Sequence, residues 1–322
     1  MAARAMTEIM EGAATPAQIA GFVIALRAKG ETVDEVVGLV RTMRRYGDKV
    51  DVVGEVLDTC GTGGDRTGTF NVSTAAAIVC AGAGARVAKH GNRAASSKCG
   101  SADVLETLGV KIDLPPAGVA TCLAEAGIGF CFAPVFHPAM RHAGSTRREL
   151  GVPTIFNFLG PLTNPAGATR QALGVADARM IEVMVEALGR LGSHHVIAFH
   201  GYDGLDELAT AGPSDVVELK AGAVSRWTID PSELGFEPAP LEAIAGGTAE
   251  ENAAMIRTVL SGGAGSRDER ARRDIVVLNA AAGLVAAGFA PDIPAGIVAA
   301  AEAIDSGRAA EALDRLVAVS NS

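Results

Sequence analysis

The chain of 322 residues has no surplus of positive charge and no long apolar run. Its 28 Lys and Arg face 37 Asp and Glu, for a net charge of −9. Surfaces that bind nucleic acid need an excess of cations to displace counterions. No apolar stretch approaches the roughly 18 to 20 residues that span a bilayer, and the first residues lack a signal peptide's apolar core. We therefore expect neither nucleic acid nor a membrane as a partner.

Cysteine is also sparse, and its pattern argues against a protein with a Cys/His metal site and against an enzyme with a thiol nucleophile. The five cysteines are Cys60, Cys80, Cys99, Cys122 and Cys131. They include no C-x-x-C pair, and no histidine cluster has metal-ligand spacing. Cys60 and Cys99 lie in glycine-rich segments, but the sequence places no histidine beside either to activate a thiol nucleophile. The pattern is typical of a reducing compartment, and we expect a cytoplasmic protein.

The pattern of apolar residues along the sequence changes near residue 50. Before it, an apolar stripe over residues 19–26 predicts one helix, and Thr32 opens a second. After it, short β-branched runs alternate with Ala-rich helices, which indicates a mostly parallel sheet covered by helices. We predict an α/β fold, with a small all-helical domain over residues 1–50 and an α/β domain over residues 51–322.

Individual elements of the α/β region follow from apolar runs and their periodicity. The predicted strands are 85–88, 129–132, Arg170–Gly174 and His195–His200, with another strand ending at Leu57 and a late pair around 225–227. The predicted helices are 75–81, 178–191, 246–261, Arg267–Ala287, 297–304 and 309–319.

Two glycine-rich polar loops carry the most specific signal in the chain. The first is DTCGTGGDRTGTFNVST at residues 58–74, and the second is KHGNRAASS at residues 89–97. Because glycine has no Cβ, backbone amides can approach an anion closely, and a following helix N-terminus adds unpaired N–H groups. Lys89, Arg93 and Lys98 give the second loop a local positive charge. The pattern predicts a polyphosphate site.

Commoner nucleotide-binding loops do not fit the first segment. We assign Gly61, Gly63 and Gly64 to the loop, and Asn71 or Ser73 to the N-cap of the next helix. A dinucleotide fingerprint counted from Gly61 fails because its sixth position holds an arginine. A Walker loop counted from Gly63 fails because a threonine stands where the lysine is required.

Over nearly its whole length the sequence resembles the anthranilate phosphoribosyltransferase family. The matching motifs are DTCGTGGD at 58–65, KHGNRAASS at 89–97, GSAD at 100–103, HPAM at 137–140, the run at 147–153, GPLTNP at 160–165 and HGYDGLDEL at 200–208. The resemblance implies transfer of the 5-phosphoribosyl group from phosphoribosyl pyrophosphate to the amine of anthranilate, the second step of tryptophan biosynthesis from chorismate. The aryl amine is neutral at physiological pH, so we assign no residue as acid or base.

The resemblance also implies which residues contact the two substrates. For phosphoribosyl pyrophosphate they are Gly61, Gly64, Asp65, Thr69, Asn71, Val72, Ser73, Thr74, Lys89, His90, Gly91, Asn92, Arg93, Ala94, Ala95, Ser96, Ser97 and Ser101. For anthranilate they are Gly61, Asn92 and Arg147, whose planar guanidinium suits a carboxylate. Arg148 is the alternative if the register slips by one, and His90 and His137 would line the entrance. For Asn71 and Ser73, ordinary helix capping is the alternative.

A pair of adjacent carboxylates, Asp206 and Glu207, follows the apolar run at 196–199. Magnesium prefers oxygen ligands and commonly bridges carboxylates to substrate phosphates. The resemblance implies two Mg²⁺ ions at this pair, with Ser73 completing one site. An isolated Asp-Glu pair usually only faces solvent, but its place after HGYDGL favours a function. Ala209 stands where the family often has serine.

The family's architecture implies a cleft between the two domains, with a segment near 138–162 completing the helical domain. It also implies a homodimer through that domain, although many members begin with one more helix than precedes Met6 here. One alternative is a pyrimidine-nucleoside phosphorylase, whose phosphate loop has a Lys-His-Ser-Thr-type pattern. The other is a non-catalytic paralogue that binds nucleic acid or protein, which should have lost the carboxylate pair or gained a basic face.

Overall fold

The computed structural model describes residues 1–94 and 98–322, so the predictions for Ala95, Ser96 and Ser97 concern residues outside the described part. The helices are α1 (Ala2–Met10), α2 (Pro16–Lys29), α3 (Val33–Tyr46), α4 (Val72–Gly82), α5 (Ser101–Thr107), α6 (Pro116–Glu125), α7 (Ala133–Phe136), α8 (Arg141–Leu150), α9 (Phe156–Leu159), α10 (Ile181–Arg190), α11 (Ala249–Leu260), α12 (Arg267–Ala287), α13 (Ile293–Asp305) and α14 (Arg308–Ser320). The strands are β1 (Leu57–Gly61), β2 (Val87–Gly91), β3 (Ile128–Phe132), β4 (Arg170–Gly174), β5 (His195–His200), β6 (Ser214–Lys220) and β7 (Ala223–Ile229).

In the described part of the chain these strands form one sheet in the order β3-β2-β1-β4-β5-β6-β7. Strands β1 to β5 are parallel, and β6 and β7 pair antiparallel at one edge. The predicted α/β fold with a mostly parallel sheet and a helical N-terminal region is confirmed. The chain runs outward from β1 to β3, then returns to place β4 on the other side of β1. Ligands of open parallel sheets bind at such a switch point, beyond the carboxyl ends of the strands.

Two strand predictions need correction, and both matter for the site. Strand β1 begins at Leu57, where we expected it to end, so Gly61 is its last residue and not part of the loop. Strand β2 runs over Val87–Gly91 instead of 85–88. The low strand propensity of glycine is outweighed here by the parallel ladders, which pair Gly61 with Gly174 and Gly91 with Phe132.

The helices agree more closely with the pattern because their ends carry capping residues. Thr15 and Thr32 form capping boxes with the residues three positions on, and Gly30 ends α2. Helix α12 has the predicted bounds. Helix α11 starts three residues later than predicted because Thr248 caps it. Helix α1 was missed, since it has no side-chain cap to mark its start.

The N-terminal helices pack on the segment near 138–162. Ala143, Ile155 and Phe156 lie in the same buried cluster as Met6 and Ile19. The Arg44 guanidinium donates two hydrogen bonds to the carbonyl of Leu162, at 2.7 and 3.0 Å. The division of the chain into domains at residue 50 stays a prediction. Among the helices of the described residues, none has the length and apolar character needed to cross a bilayer.

Candidate active site

The predicted loops meet at the carboxyl edge of the sheet. The first loop follows β1, the second follows β2, and the carboxylate pair follows β5. The parallel register aligns these strand ends, pairing Gly61 with Gly174 and Gly174 with Phe199. Three segments that are far apart in sequence therefore contribute to one site beside the switch point between β1 and β4.

The first loop turns on glycines with open space around them. Gly63, Gly64 and Gly68 have φ of +68°, +81° and +68°, and a Cβ on any of them would meet no atom of residues 1–94 or 98–322 within 4 Å. Such φ values favour glycine. The Asp65 carboxylate accepts hydrogen bonds from the backbone N–H and the hydroxyl of Thr67, at 3.3 and 2.5 Å. The loop backbone is thus shaped by its own residues and left accessible to an anion.

The far end of this loop is anchored to the C-terminal part of the chain. Thr69 forms an antiparallel bridge with Ala245, and the Phe70 N–H donates to the Ile244 carbonyl at 3.0 Å. Helix α4 begins directly afterwards at Val72, which is buried. Because the loop is held at both ends, the start of α4 has a fixed direction relative to β1.

Asn71 occupies the N-cap position of α4 but does not cap it. Its side chain makes no capping bond; instead Nδ2 donates to the Cys99 carbonyl at 3.2 Å and Oδ1 accepts from Asn252 Nδ2 at 2.9 Å. Asn71 thereby joins the first loop to the second. The Thr74 hydroxyl, in the first turn, is buried and has no hydrogen-bond partner among the described residues. The Thr74 hydroxyl in the first turn of α4 is therefore available to a ligand.

The two carboxylates lie against the first loop and the start of α4. Asp206 Oδ2 accepts a hydrogen bond from the Gly63 N–H at 2.6 Å, and Glu207 Oε1 accepts one from the Ser73 N–H at 3.0 Å. A Cβ on Gly61 would lie 2.3 Å from Asp206 Oδ2, so only glycine fits there. Burial, with repulsion from Asp65, raises the pKa of Asp206 to about 7. Burial and the Asp206 charge raise the pKa of Glu207 well above its usual range.

This geometry fits magnesium. Two adjacent carboxylates with raised pKa values repel each other, and a divalent cation would relieve that repulsion. Among the described residues, no three His, Cys, Asp or Glu side chains are grouped to hold a metal by themselves. Mg²⁺ is usually bound by one or two carboxylates plus substrate phosphates and water, so a two-carboxylate site is the expected form.

Lys89 is buried and points from β2 toward the same site. Its Nζ donates to the Thr59 carbonyl at 2.6 Å and to Ser73 Oγ at 3.4 Å. Burial lowers the pKa of Lys89, while the negative charges of Asp58, Glu207 and Asp206 oppose that shift. The ammonium group therefore lies between the first loop, helix α4 and the carboxylates. Lys89 is a buried part of the site and not an ordinary surface lysine.

Asp58, which is not among the predicted site residues, stabilises this arrangement from the protein interior. Its side chain is fully buried, and it accepts hydrogen bonds from the His90 N–H at 3.1 Å and from Asn164 Nδ2 at 2.8 Å. Asn164 also donates to the Ala88 carbonyl at 2.7 Å. Burial raises the pKa of Asp58 to about 6, although the Lys89 charge opposes this. The carboxylate joins β1, β2 and the segment at 160–165.

The described residues on either side of the second loop are held together by the Asp103 side chain and by close packing at glycines. Asp103 Oδ2 accepts from the N–H groups of Ala94 and Gly100, at 3.0 and 2.9 Å. A Cβ on Gly100 would lie 2.4 Å from the Ala94 nitrogen. At the start of the loop, a Cβ on Gly91 would lie 2.1 Å from Ser101 Oγ. Glycine is needed here for space, whereas in the first loop it is needed for its φ.

Arg93 already has partners within this region. Its guanidinium lies 2.9 Å from Asp103 Oδ1 and 2.9 Å from Glu106 Oε2, and 5.7 Å over the Phe132 ring. The neighbouring Asn92 accepts a hydrogen bond from the Arg93 N–H at 2.8 Å. The Arg93 side chain therefore supports the loop, and its charge is balanced without a phosphate.

Arg147, on α8, differs from Arg93 in its surroundings. Its guanidinium lies 5.5 Å over the Phe156 ring, and within the described residues no carboxylate pairs with it. Burial lowers the pKa of Arg147, while Arg148 is exposed. A half-buried arginine that lacks an anion is suited to receive one from a ligand.

The two histidines are buried side by side, with ring centroids 5.3 Å apart. His90 Nδ1 lies 3.0 Å from the Gly160 carbonyl oxygen, and His137 Nε2 lies 3.0 Å from that of Thr163. Because a carbonyl only accepts, each of these nitrogens carries its hydrogen. Burial lowers the pKa of His90 to about 3. Both rings are neutral and hold the segment at 160–165 in place.

Comparisons with known proteins first define the class. The family described as "Glycosyl transferase family, a/b domain" matches residues 53–310, and the one described as "Glycosyl transferase family, helical bundle domain" matches residues 1–47. The chain is therefore a glycosyltransferase of the type that combines these two regions.

Whole-chain relatives narrow this class. An anthranilate phosphoribosyltransferase from Chloroflexus aggregans is 55% identical, covering 99% of this chain and 93% of that protein. The crystal structure of the Thermus thermophilus enzyme matches with a TM-score of 0.92 at 45% identity, covering 100% of this chain and 95% of that one. The structure of the Saccharomyces cerevisiae enzyme in complex with PRPP and Mg matches with a TM-score of 0.88 at 29% identity. The match covers 98% of this chain and 90% of the yeast chain. The chain belongs to the anthranilate phosphoribosyltransferase family.

Proposed function

We propose how this chain carries out the reaction of its family, the transfer of a 5-phosphoribosyl group from phosphoribosyl pyrophosphate to anthranilate. The bond between ribose C1 and the pyrophosphate oxygen breaks, and a bond between C1 and the anthranilate nitrogen forms. The amine releases one proton, and pyrophosphate leaves. The observation that carries the proposal is the Asp206–Glu207 pair, hydrogen-bonded to Gly63 N and Ser73 N where the first glycine loop meets α4.

On the donor side, the first loop and the start of α4 bind the pyrophosphate with backbone N–H groups and hydroxyls. Gly64, Thr69, Ser73 and Thr74 supply these groups, and the helix N-terminus favours negative charge. Lys89 adds a buried positive charge, which is stronger in a low-dielectric site than it would be in water. His90, Gly91, Asn92, Arg93 and Ser101 contact the donor as well.

Asp206, Glu207 and Ser73 would hold magnesium, with two ions as the expected number. Magnesium bound there would supply positive charge next to the pyrophosphate oxygens. The yeast relative whose structure contains PRPP and Mg supports the use of Mg²⁺. The protein's own contribution is to hold the two carboxylates close together, with hydrogen bonds that direct Asp206 to the first loop and Glu207 to the start of α4.

On the acceptor side, Arg147 binds the carboxylate of anthranilate, with Asn92 and Gly61 near its amine. The half-buried guanidinium, which has no anionic partner in the described part of the chain, supports this role. A further structure of the yeast relative, described as a complex with 4-fluoroanthranilate, supports the substrate. No side chain is assigned as a base, because the aryl amine of anthranilate is already neutral at physiological pH and does not require a strong base.

We further propose a cytoplasmic homodimer that associates through the N-terminal helices, with the segment near 138–162 as part of that helical domain. Helix α2 presents an outward apolar stripe, with Ala17, Gly21, Ile24 and Ala28 exposed at helical spacing. Light scattering of the wild type and of Ile24→Arg tests this association. A dimer that becomes a monomer on substitution supports it, and a monomeric wild type contradicts it.

The activity is tested by mixing the protein with anthranilate, phosphoribosyl pyrophosphate and Mg²⁺ while following anthranilate fluorescence. Loss of fluorescence with release of pyrophosphate, abolished by a chelator, is the expected result. A folded protein that binds the donor without turnover would contradict the proposal. That result would point instead to another acceptor or to a non-catalytic paralogue.

A further inference from the structure

The backbone that carries the carboxylate pair is held at the residue that follows it. Asp206 and Glu207 are succeeded by Leu208, which is fully buried. The Leu208 N–H donates to Asn279 Oδ1 at 2.9 Å, and the Leu208 carbonyl accepts from Asn279 Nδ2 at 3.0 Å. One side chain thus satisfies both backbone groups of a single buried residue.

Asn279 is suited to act as a fixed clamp. It lies within α12, is 3% exposed, and donates its second Nδ2 hydrogen to the Ile275 carbonyl, one turn earlier on the same helix, at 2.8 Å. Leu208 N needs an acceptor and the two carbonyls need donors, so only one orientation of the amide satisfies all three. The bond to Ile275 therefore prevents the amide from turning away from Leu208.

The opposite side of the pair is restricted by glycines. A Cβ on Gly174 would lie 1.7 Å from the Asp206 carbonyl oxygen, and a Cβ on Gly201 would lie 2.2 Å from the Glu207 carbonyl oxygen. The backbone at 206–207 is therefore pressed against the ends of β4 and β5, with Asn279 holding the next residue. Little freedom remains for the carboxylates to move along the edge of the sheet.

We propose that Asn279 is a positioning residue for the metal-binding pair, fixing Asp206 and Glu207 through the backbone of Leu208. The inference rests on the proposed binding of Mg²⁺ by these carboxylates. Asn279 touches no reacting atom. It sets the place from which the two carboxylates reach the first loop and the start of α4, although it lies far from both in the sequence.

The test compares Asn279→Leu, which removes all three hydrogen bonds at similar volume, with Val277→Ala on the same helix. Val277 is buried, but the hydrogen bonds to the Leu208 backbone come from Asn279. Val277→Ala therefore shows the effect of a general loss of stability without loss of those hydrogen bonds. Melting temperatures of the full chain are measured against Mg²⁺ concentration with phosphoribosyl pyrophosphate held saturating. We expect Asn279→Leu to need about 10- to 100-fold more Mg²⁺ for half the stabilising shift. Val277→Ala should have a lower melting temperature than the wild type, but the Mg²⁺ concentration that gives half the stabilising shift (the Mg²⁺ midpoint) should be unchanged.

An unchanged Mg²⁺ midpoint in Asn279→Leu would overturn the inference. Asn279→Asp and Asn279→Ser are measured in parallel, so that a folding failure of the leucine variant leaves two that decide the question. In Asn279→Asp a carboxylate oxygen faces the two carbonyls, and the midpoint should rise as well. Absence of any Mg²⁺-dependent shift in the wild type would instead contradict the proposed metal site, which separates the two failures.

Discussion

The donor and acceptor halves of this site are built in different ways. On the donor side, Asp58, Lys89 and Glu207 are buried, Asp206 is half-buried, and each already has hydrogen-bond partners in the protein. On the acceptor side, Arg147 stacks on Phe156 with no carboxylate partner among the described residues. A polyanion with bound cations needs charges of both signs fixed in advance, whereas a single carboxylate needs one cation left free.

The difference implies that substitutions should separate the two halves. Changes on the donor side disturb a connected network and should affect binding of the donor, metal dependence and stability together. Changes on the acceptor side should affect only the use of anthranilate. The following experiments test that separation.

The largest effect is expected from Glu207→Gln, which removes one negative charge from the carboxylate pair. We expect kcat/KM to fall about 1000-fold, or about 4 kcal/mol, because charge stabilisation at the leaving group is lost. Asp203→Asn, an exposed carboxylate in the same loop, is the matched control and should keep its activity. Steady-state rates at several Mg²⁺ concentrations check this, and equal loss in both variants would contradict the assignment.

Next in size is Arg147→Ala. Loss of a charge-assisted hydrogen bond to a carboxylate costs about 2 to 3 kcal/mol, so kcat/KM for anthranilate should fall about 30- to 150-fold. The KM for phosphoribosyl pyrophosphate should hardly change. Arg148→Ala, an exposed neighbour, should behave as the wild type. Similar losses for both substrates would count against the acceptor role and against the separation of the two halves.

A third effect concerns pH and the buried His90. Its pKa of about 3 in the folded state lies below the ordinary unfolded value of about 6.5, so the unfolded chain binds a proton first as pH falls. Stability from this group is complete above pH 6.5 and is lost as pH falls toward 3. When the pH falls from 7 to 5, the free energy of unfolding of the wild type should decrease by about 2 kcal/mol more than that of His90→Gln. Urea unfolding at both pH values measures this, and parallel losses would contradict it.

The smallest effect is expected from Gly64→Ala in the open first loop. An alanine at φ of +81° costs about 1 kcal/mol of strain, although no atom obstructs its Cβ. Gly127→Ala, at φ of +76° with equally open surroundings, should cost the same stability. Only Gly64→Ala should raise the KM for phosphoribosyl pyrophosphate. If both variants raise it equally, the loop glycine has no special role in binding.

Sequence predicted the local parts of this structure better than the long-range ones. The bounds of β4, β5 and α12 could be read directly because apolar runs and caps mark them. The extension of β1 to Gly61 could not, since it depends on pairing with a strand that comes more than 100 residues later. Local propensity gives no indication of such a partner.

The same limit applies to the site. The loops and the Asp206–Glu207 pair stand out as motifs. Asp58 and Asn164 lie within two of the matching motifs, but the sequence reveals no role for either, and Asn279 lies in no motif. Each acts by hydrogen bonds to backbone groups or side chains of a distant segment, and a single polar residue within an apolar stretch has no periodic signature. A buried asparagine in a helix would be recognisable only as an exception to the pattern of α12.

The switch point between β1 and β4 has a consequence for how the protein is made. Strand β1 leaves the ribosome early, yet one of its two neighbours is the strand at Arg170–Gly174, and the clamp on Leu208 comes from residue 279. At about 5 to 20 residues per second, residue 279 is synthesised roughly 10 to 45 s after residue 61. Throughout that interval the glycine loop exists without its carboxylates fixed beside it. The nascent chain therefore has no complete donor site until synthesis is nearly finished, and its central strand keeps one unpaired edge until β4 has emerged.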